Sequence, residues 1–376
     1  MRAPCAAALA SLSVACLLAA RCAMPGSGSS GEVSILSYNV KSLFDARDDG
    51  PEFAEFSVSA GRWSEASYRL RLANVAKAVL AAGKDGGPPG PDVACLVEIE
   101  NGTVLEDLRA GTLALARYGF SAIAPANGGP FANALLSRLP ILGLSSHALV
   151  AGGAGRPSGR AILEAELDAG GRSLVILVCH WKSRLGGERE TEGERREAAA
   201  LVRSIVGAHL ASDPLAEVLV CGDFNEGPEE ADRIAGAYPT AFVGLGSAGD
   251  EAAAPGAGPA RPGAAPDWRS IPRLLVASRA GDARSREGEP VLFSPWNESG
   301  GYSYSYRGER SRLDGFLLSP GLADGAGLAY RGFSVVDESF LVSGSGDPIP
   351  WSTAASAGFS DHLPILLVLD LLPEGS

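Results

Sequence analysis

The sequence predicts an α/β domain, and three observations predict it. Short, almost unbroken apolar runs such as residues 218–221 (VLVC) read as strands buried on both faces. Apolar residues at helical spacing mark amphipathic helices between those runs. Acids, amides and imidazoles stand where the strands end, the position at which open α/β sheets bind ligands.

The 376 residues are 46% hydrophobic, enough for a full core. No boundary-like shift in composition precedes residue 246, so residues 33–372 read as one domain with a low-complexity insertion over 246–266 (GSAGDEAAAPGAGPARPGAAP). Residues 1–23 join an early Arg2 to an apolar Ala/Leu run and read as an export signal or lipoprotein leader, with 24–32 a flexible linker. Periplasmic, outer-surface and secreted destinations all follow from such a leader. The formal charge of −12 repels polyanions at long range. Contact with nucleic acid or phospholipid then needs a local basic patch and bound cations. Cys95, Cys179 and Cys221 each lie inside an apolar run, which predicts buried thiols rather than disulfides or a zinc site. Lysine occurs only at 41, 77, 84 and 182, so most positive charge is arginine, suited to bidentate phosphate contacts.

Taken in order, residues 33–40 (VSILSYNV) predict a first strand with Asn39 near its end. Leu72, Val75, Ala76, Val79 and Leu80 fall on one helical face that Gly83 terminates. Residues 92–99 (DVACLVEI) predict a second buried strand, and Glu98 interrupts it. A carboxylate there must be paired or bind a cation, because an isolated buried charge costs several kcal/mol. Glu100 and Asn101 read as a solvated turn. Residues 104–116 read as a helix and 120–124 as a strand, while 132–138 and 140–144 read as a hairpin from which Arg138 could face a substrate. Two further strands cover 161–167 and 174–179; the second runs into His180, Lys182 and Arg184, a group that could face phosphate. Thr191 and Glu194 match a capping box that opens a helix with the stripe Ala198, Leu201, Val202, Ile205 and His209. His209 reads as a packing residue. The interleaved Glu188–Arg196 charges read as a salt-bridged, solvated face. The run 218–228 (VLVCGDFNEGP) places Asp223 and Asn225 beyond a core strand. Tyr302, Tyr304 and Tyr306 alternate and read as sheet packing. Asp314 interrupts the apolar run 312–318, and Asp361 and His362 enter a last buried strand.

Oxygen ligands without a Cys/His cluster suit magnesium or manganese, and histidines beside aspartates suit acid–base work. A hard cation, a positioned water and cationic donors around one centre are what phosphoester hydrolysis needs. The motifs SYNV, VEIEN, LLSRLPI, VCHWKSR, GDFN, RLDGFLLS and FSDHLPI, in this order, resemble the endonuclease/exonuclease/phosphatase superfamily, with the HWKSR segment similar to exported bacterial nucleases. The resemblance implies a deoxyribonuclease I-like fold: a four-layered α/β sandwich of two packed mixed β-sheets flanked by helices. It implies metal ligation by Glu98, Asn39 and Asp361, and water and phosphoryl orientation by Asp223 and Asn225. His362, oriented by Asp314, would do acid–base work or stabilise charge, and His180 would contact phosphate, with Lys182, Arg184 and Arg138 as further substrate contacts. Either Asp223 or His362 could be the general base. Lys41 stands where some members have an acid, which argues against a second metal position. The implied activity is a magnesium-dependent nuclease, a monomer acting on DNA or RNA. The alternatives are a phospholipase, sphingomyelinase-like enzyme or sugar-phosphate phosphatase of the same fold, and an inactive surface binding protein.

Overall fold

Among the described residues, the strands in chain order begin with β1 (Glu32–Leu43), β2 (Val93–Ile99), β3 (Phe120–Ile123), β4 (Ala132–Ser137), β5 (Ile141–His147) and β6 (Ile162–Asp168). They continue with β7 (Ser173–His180), β8 (Glu217–Asp223), β9 (Phe242–Gly244), β10 (Leu274–Ala277) and β11 (Val291–Phe293). Last come β12 (Tyr304–Tyr306), β13 (Glu309–Ser311), β14 (Asp314–Leu318), β15 (Leu328–Val335) and β16 (Ile365–Leu371). Three helices matter for the site: α1 (Glu65–Ala81), α2 (Gly102–Glu106) and α3 (Glu192–Ser212). The computed structural model describes residues 31–83, 87–149, 160–245, 272–284, 286 and 288–372. The leader, residues 24–30 of the linker and the 246–266 insertion lie outside them.

The strands form a six-stranded sheet, β15-β16-β1-β2-β4-β3, and an eight-stranded sheet, β5-β6-β7-β8-β14-β11-β10-β9. Both are mixed: β1 runs parallel to β2 and antiparallel to β16, and β8 runs parallel to β7 and antiparallel to β14. Between the sheets Ile35, Val93, Cys95 and Leu135 meet Ile176, Leu219, Cys221 and Phe316. On the outer faces Leu36, Tyr38 and Leu96 pack under Leu72, Val75 and Val79 of α1, and Leu177, Val218 and Val220 pack under Ala198, Val202 and Ile205 of α3. Each central strand is thus covered twice, which is why its sequence reads as an unbroken apolar run. The architecture is the four-layered sandwich.

Three local expectations differ. Residues 132–144 do not form a hairpin: β4 pairs with β2 and β3 while β5 pairs with β6, so Arg138, Leu139 and Pro140 carry the chain from one sheet to the other. The Thr191 hydroxyl does not cap α3, because it donates to the carbonyl of Gly187 at 2.7 Å and accepts from Arg195. The charged run is not a solvated face. Glu192, Arg195 and Arg196 are buried, and Arg195 donates to Glu192 at 2.6 Å and to Glu226 at 3.4 Å. Glu226 in turn accepts from the Phe242 amide, tying the segment after β8 to β9. Arg195→Ala would leave two buried carboxylates without their cation, at a cost of about 3–5 kcal/mol, visible as a lowered denaturant midpoint.

Gly222 sets the end of β8. Its φ of +135° lies where side-chain-bearing residues are strained, and a Cβ would run into the carbonyl of Cys179 on β7. The two strands therefore close up just before His180 and Asp223, which are partners in the parallel register. Gly222→Ala is expected to destabilise the fold by about 3 kcal/mol, measured by chemical denaturation.

Candidate active site

Backbone irregularities aim polar side chains out of core strands at one end of the sandwich. The β1–β2 register shifts between Asn39 and Leu43, and the β2–β4 register shifts between Val97 and Ile99. Lys41, Ser42 and Glu98 have φ of +56°, +53° and +67° at these bulges, and Asn225 has +52° just beyond β8. Such conformations cost of order 1–3 kcal/mol each and persist where surrounding contacts enforce them. Here the Ser42 amide donates to Glu98 at 2.7 Å, and buried Arg71 of α1 donates to the carbonyls of Val40 and Lys41. The bulge turns Glu98 out of its strand's apolar alternation.

The neighbouring sheet supplies a row in register. His180, Asp223 and Asp314 are lateral partners across β7, β8 and β14. His180 Nε2 lies 3.6 Å from both Glu98 Oε1 and Asp223 Oδ2. Asn39 Nδ2 joins the sheets, donating to Asp223 Oδ2 at 2.9 Å and to Glu98 Oε1 at 3.3 Å. His362, on the segment leading into β16, donates from Nδ1 to Asp314 Oδ2 at 2.7 Å and holds Nε2 3.9 Å from Asp223 Oδ2. The Ser360 hydroxyl donates to the Asn39 carbonyl and accepts from the His362 amide, fixing that segment against β1. Asn225 donates its amide N–H to Asp223 Oδ1 and Nδ2 to the Trp181 carbonyl.

Electrostatics give the two histidines different charge states. Burial pushes the His362 imidazole down, but the carboxylates of Asp314 and then Asp223 outweigh it and raise it to about 10. Burial drives His180 well below its ordinary value, with Arg160 and His362 adding to the effect. At neutral pH His362 is therefore a cation and His180 a neutral donor or acceptor. Burial raises Asp223 to about 7, against the opposing pull of His362. Asp361, despite burial, is lowered by His362 and by Lys41, whose Nζ is 2.8 Å from Oδ2.

Asn39, Glu98, His180, Asp223, Asn225, Asp314 and His362 thus meet in one place, and Asp361, paired with Lys41, bears on it through its charge on His362. Arg138 does not. It lies beyond the other end of β4, where its guanidinium donates to Asp92 and to the carbonyls of Pro88, Pro89, Gly90 and Ala116. Arg184 is also structural: Nε donates to the Asn225 carbonyl at 2.8 Å and the other nitrogens bind Glu188 and Glu230, so it braces the Asn225 turn. Lys182 is half-buried and has no ion-pair partner among the described residues. Arg160 was not foreseen. It donates to the Trp181 carbonyl at 2.9 Å, and its charge bears on Glu98, Asp223 and His180. The available signal was an arginine heading the 161–167 strand directly after a Gly-rich stretch. Tyr304 packs its ring on His362, with centroids 4.7 Å apart, whereas Tyr306 is 57% exposed rather than packed.

The donor set suits a hard divalent cation at Glu98, whose Oε1 is approached by Asn39 and His180 but by no lysine or arginine at ion-pair distance among the described residues. Asn39 turns its amide nitrogen toward the carboxylates, and its Oδ1 accepts from the Lys41 amide. Asp361 is already neutralised by Lys41. Glu98 is consequently the strongest of the three expected ligands.

Two mixed sheets with these residues at their edge are the deoxyribonuclease I-like architecture. The sequence model of the Endonuclease/Exonuclease/phosphatase family matches residues 34–236, and the chain belongs to that family. No curated protein matches its sequence. Among solved structures, TDP2 from C. elegans is similar with a TM-score of 0.50 at 16% identity, over 90% of this chain and 75% of that one. A family protein from Bacteroides thetaiotaomicron aligns with a TM-score of 0.49 at 13% identity, over 91% and 98% of the two chains. The human nocturnin catalytic domain, with bound sulfate, gives 0.46 at 16% identity, over 91% and 94%. The family is one of phosphoester hydrolases generally dependent on divalent metals, and acidic clusters that could hold a metal are present here.

Proposed function

We propose that the chain is an exported, magnesium-dependent phosphodiesterase that hydrolyses DNA or RNA. The observation that carries this reading is the meeting of Glu98 and Asn39 from one sheet with His180, Asp223 and the His362–Asp314 pair at the edge of the other. Held by Glu98, with Asn39 and Asp361 beside it, magnesium would neutralise charge on a phosphoryl oxygen. Asp223, raised to about 7, takes the proton of the attacking water, and Asn225 holds that water in line. His362 is already protonated at neutral pH, so it stabilises developing charge or protonates the leaving oxygen rather than acting as the base. Neutral His180 donates to the phosphate.

A polymeric substrate is favoured by the hairpin β12–β13 beside His362. Exposed Tyr306 and Arg307, with the guanidinium 5.1 Å from the ring, offer a stacking surface for bases next to the cleft. Lys182, without an ion-pair partner among the described residues, adds a cation for the backbone. Incubating the mature chain with plasmid, RNA, sphingomyelin and inositol phosphates, with and without chelator, tests the reading. Nucleic acid should be degraded only without chelator; turnover of lipid or sugar phosphate alone would overturn the nuclease assignment. N-terminal sequencing of the cell-derived protein should start beyond residue 23, and an intact leader on soluble protein would contradict export.

A further inference from the structure

The Glu100 side chain is not solvated, and it leads to a second acidic centre. Glu100 is 9% exposed, and Asp45, just after β1, is 4% exposed. One carboxylate oxygen each from Asp45, Asp49 and Glu100 lies within 4.8 Å of the others, the span of opposite ligands around an ion bound at about 2.3–2.6 Å. Glu52 closes the loop above them. Its Oε1 accepts from the amides of Asp49 and Gly50, and a Cβ on Gly50 would lie 3.1 Å from that oxygen and 3.8 Å from Glu100 Oε1.

Hydrogen bonds do not account for this much negative charge. Asp45 Oδ2 accepts from Asn101 at 3.3 Å, and Glu100 Oε2 accepts from the Asp45 amide at 2.7 Å, but buried Asp45 Oδ1 has no partner. None of the four acids forms a salt bridge among the described residues; the amide and charge of exposed Arg47, next along the loop, bear on Asp45 but do not offset its burial. A buried carboxylate oxygen without a well-formed hydrogen bond or a paired cation is costly. The base of the loop is nevertheless rigid: Trp63 donates to the Asp45 carbonyl at 2.7 Å and stacks into the Phe44–Phe56 cluster.

We propose that Asp45, Asp49 and Glu100, with Glu52 at the rim, bind a calcium ion that pins the loop after β1 against the end of β2. Calcium suits an irregular loop rich in carboxylates better than magnesium, which demands a near-ideal octahedron and keeps more water. The ion is distinct from any cation at Glu98. It lies just past the end of β2, two residues beyond Glu98 and against a different loop, and it acts on stability rather than on the reacting phosphate.

Terbium, a calcium stand-in whose emission nearby Trp63 can sensitise, tests the site without reference to hydrolysis. Wild-type protein should give tryptophan-sensitised emission that millimolar calcium displaces, and calcium at ten times its dissociation constant should raise Tm by about 2 °C. Glu98→Gln should retain both responses. Asp49→Asn, an exposed change with little risk to folding, should weaken binding at least about 10-fold, and Asp45→Asn should abolish it. No emission and no calcium-dependent Tm shift in wild type would overturn the proposal. So would emission lost in Glu98→Gln but kept in Asp49→Asn, which would assign the ion to the other centre.

Discussion

Alanine in place of His362 should lower kcat for phosphodiester cleavage by about 10²–10⁴-fold while KM changes little. The side chain lies at the junction of three acids, and its charge is set by Asp314 and Asp223. An imidazolium so held acts on charge that develops in the transition state, so its loss falls on kcat. Because the His362 ring also bonds Asp314 and packs on Tyr304, the variant is compared with wild type by circular dichroism and denaturation before kinetics. Full activity in folded protein would remove His362 from the chemistry.

The pH profile should be bell-shaped, and Asp314→Asn should narrow it from the alkaline side. In the proposed mechanism the active form would have Asp223 ionised and His362 protonated. Asp223, at about 7, ionises as pH rises, giving the acid limb, and His362, at about 10, loses its proton to give the alkaline limb. For stability the sign follows from the raised value of His362: its contribution is complete below its unfolded value near 6.5 and is lost as pH rises through about 10. Asparagine at 314 removes the foremost carboxylate that opposes burial of His362. The alkaline limb should therefore move toward neutrality and kcat fall by about 10²-fold or more. Rising magnesium should move the acid limb lower, since a nearby cation favours ionised Asp223. An alkaline limb unmoved in Asp314→Asn would mean that another group sets it.

The sheets were legible because each central strand is covered on both faces, so apolar runs such as 174–179 and 218–221 carry the fold without context. Glu98, Asp223 and Asp314 were legible for the converse reason, as charges in places where an unpaired charge is costly. What failed depended on partners distant in the chain. Arg138 looked available because residues 132–144 have the spacing of a hairpin, and nothing local says that the strands part into different sheets. Arg184 has the residue type of a phosphate contact, but Glu230 and the Asn225 carbonyl, over 40 residues on, had already claimed it. Glu192 and Arg195 alternate like a solvated face, yet Glu226 draws them inward. Glu100 reads as a turn until the loop at Asp45 folds over it.

In the proposed function, Glu98 would hold the divalent cation on which phosphodiester cleavage depends. Plasmid cleavage measured across a magnesium titration, for wild type and folded Glu98→Gln, tests it most directly. Wild-type cleavage should vanish in chelator and saturate with magnesium, and Glu98→Gln should need at least about 10-fold more magnesium and stay far slower at saturation. Identical magnesium curves for the two proteins, or cleavage that survives chelation, would contradict the account.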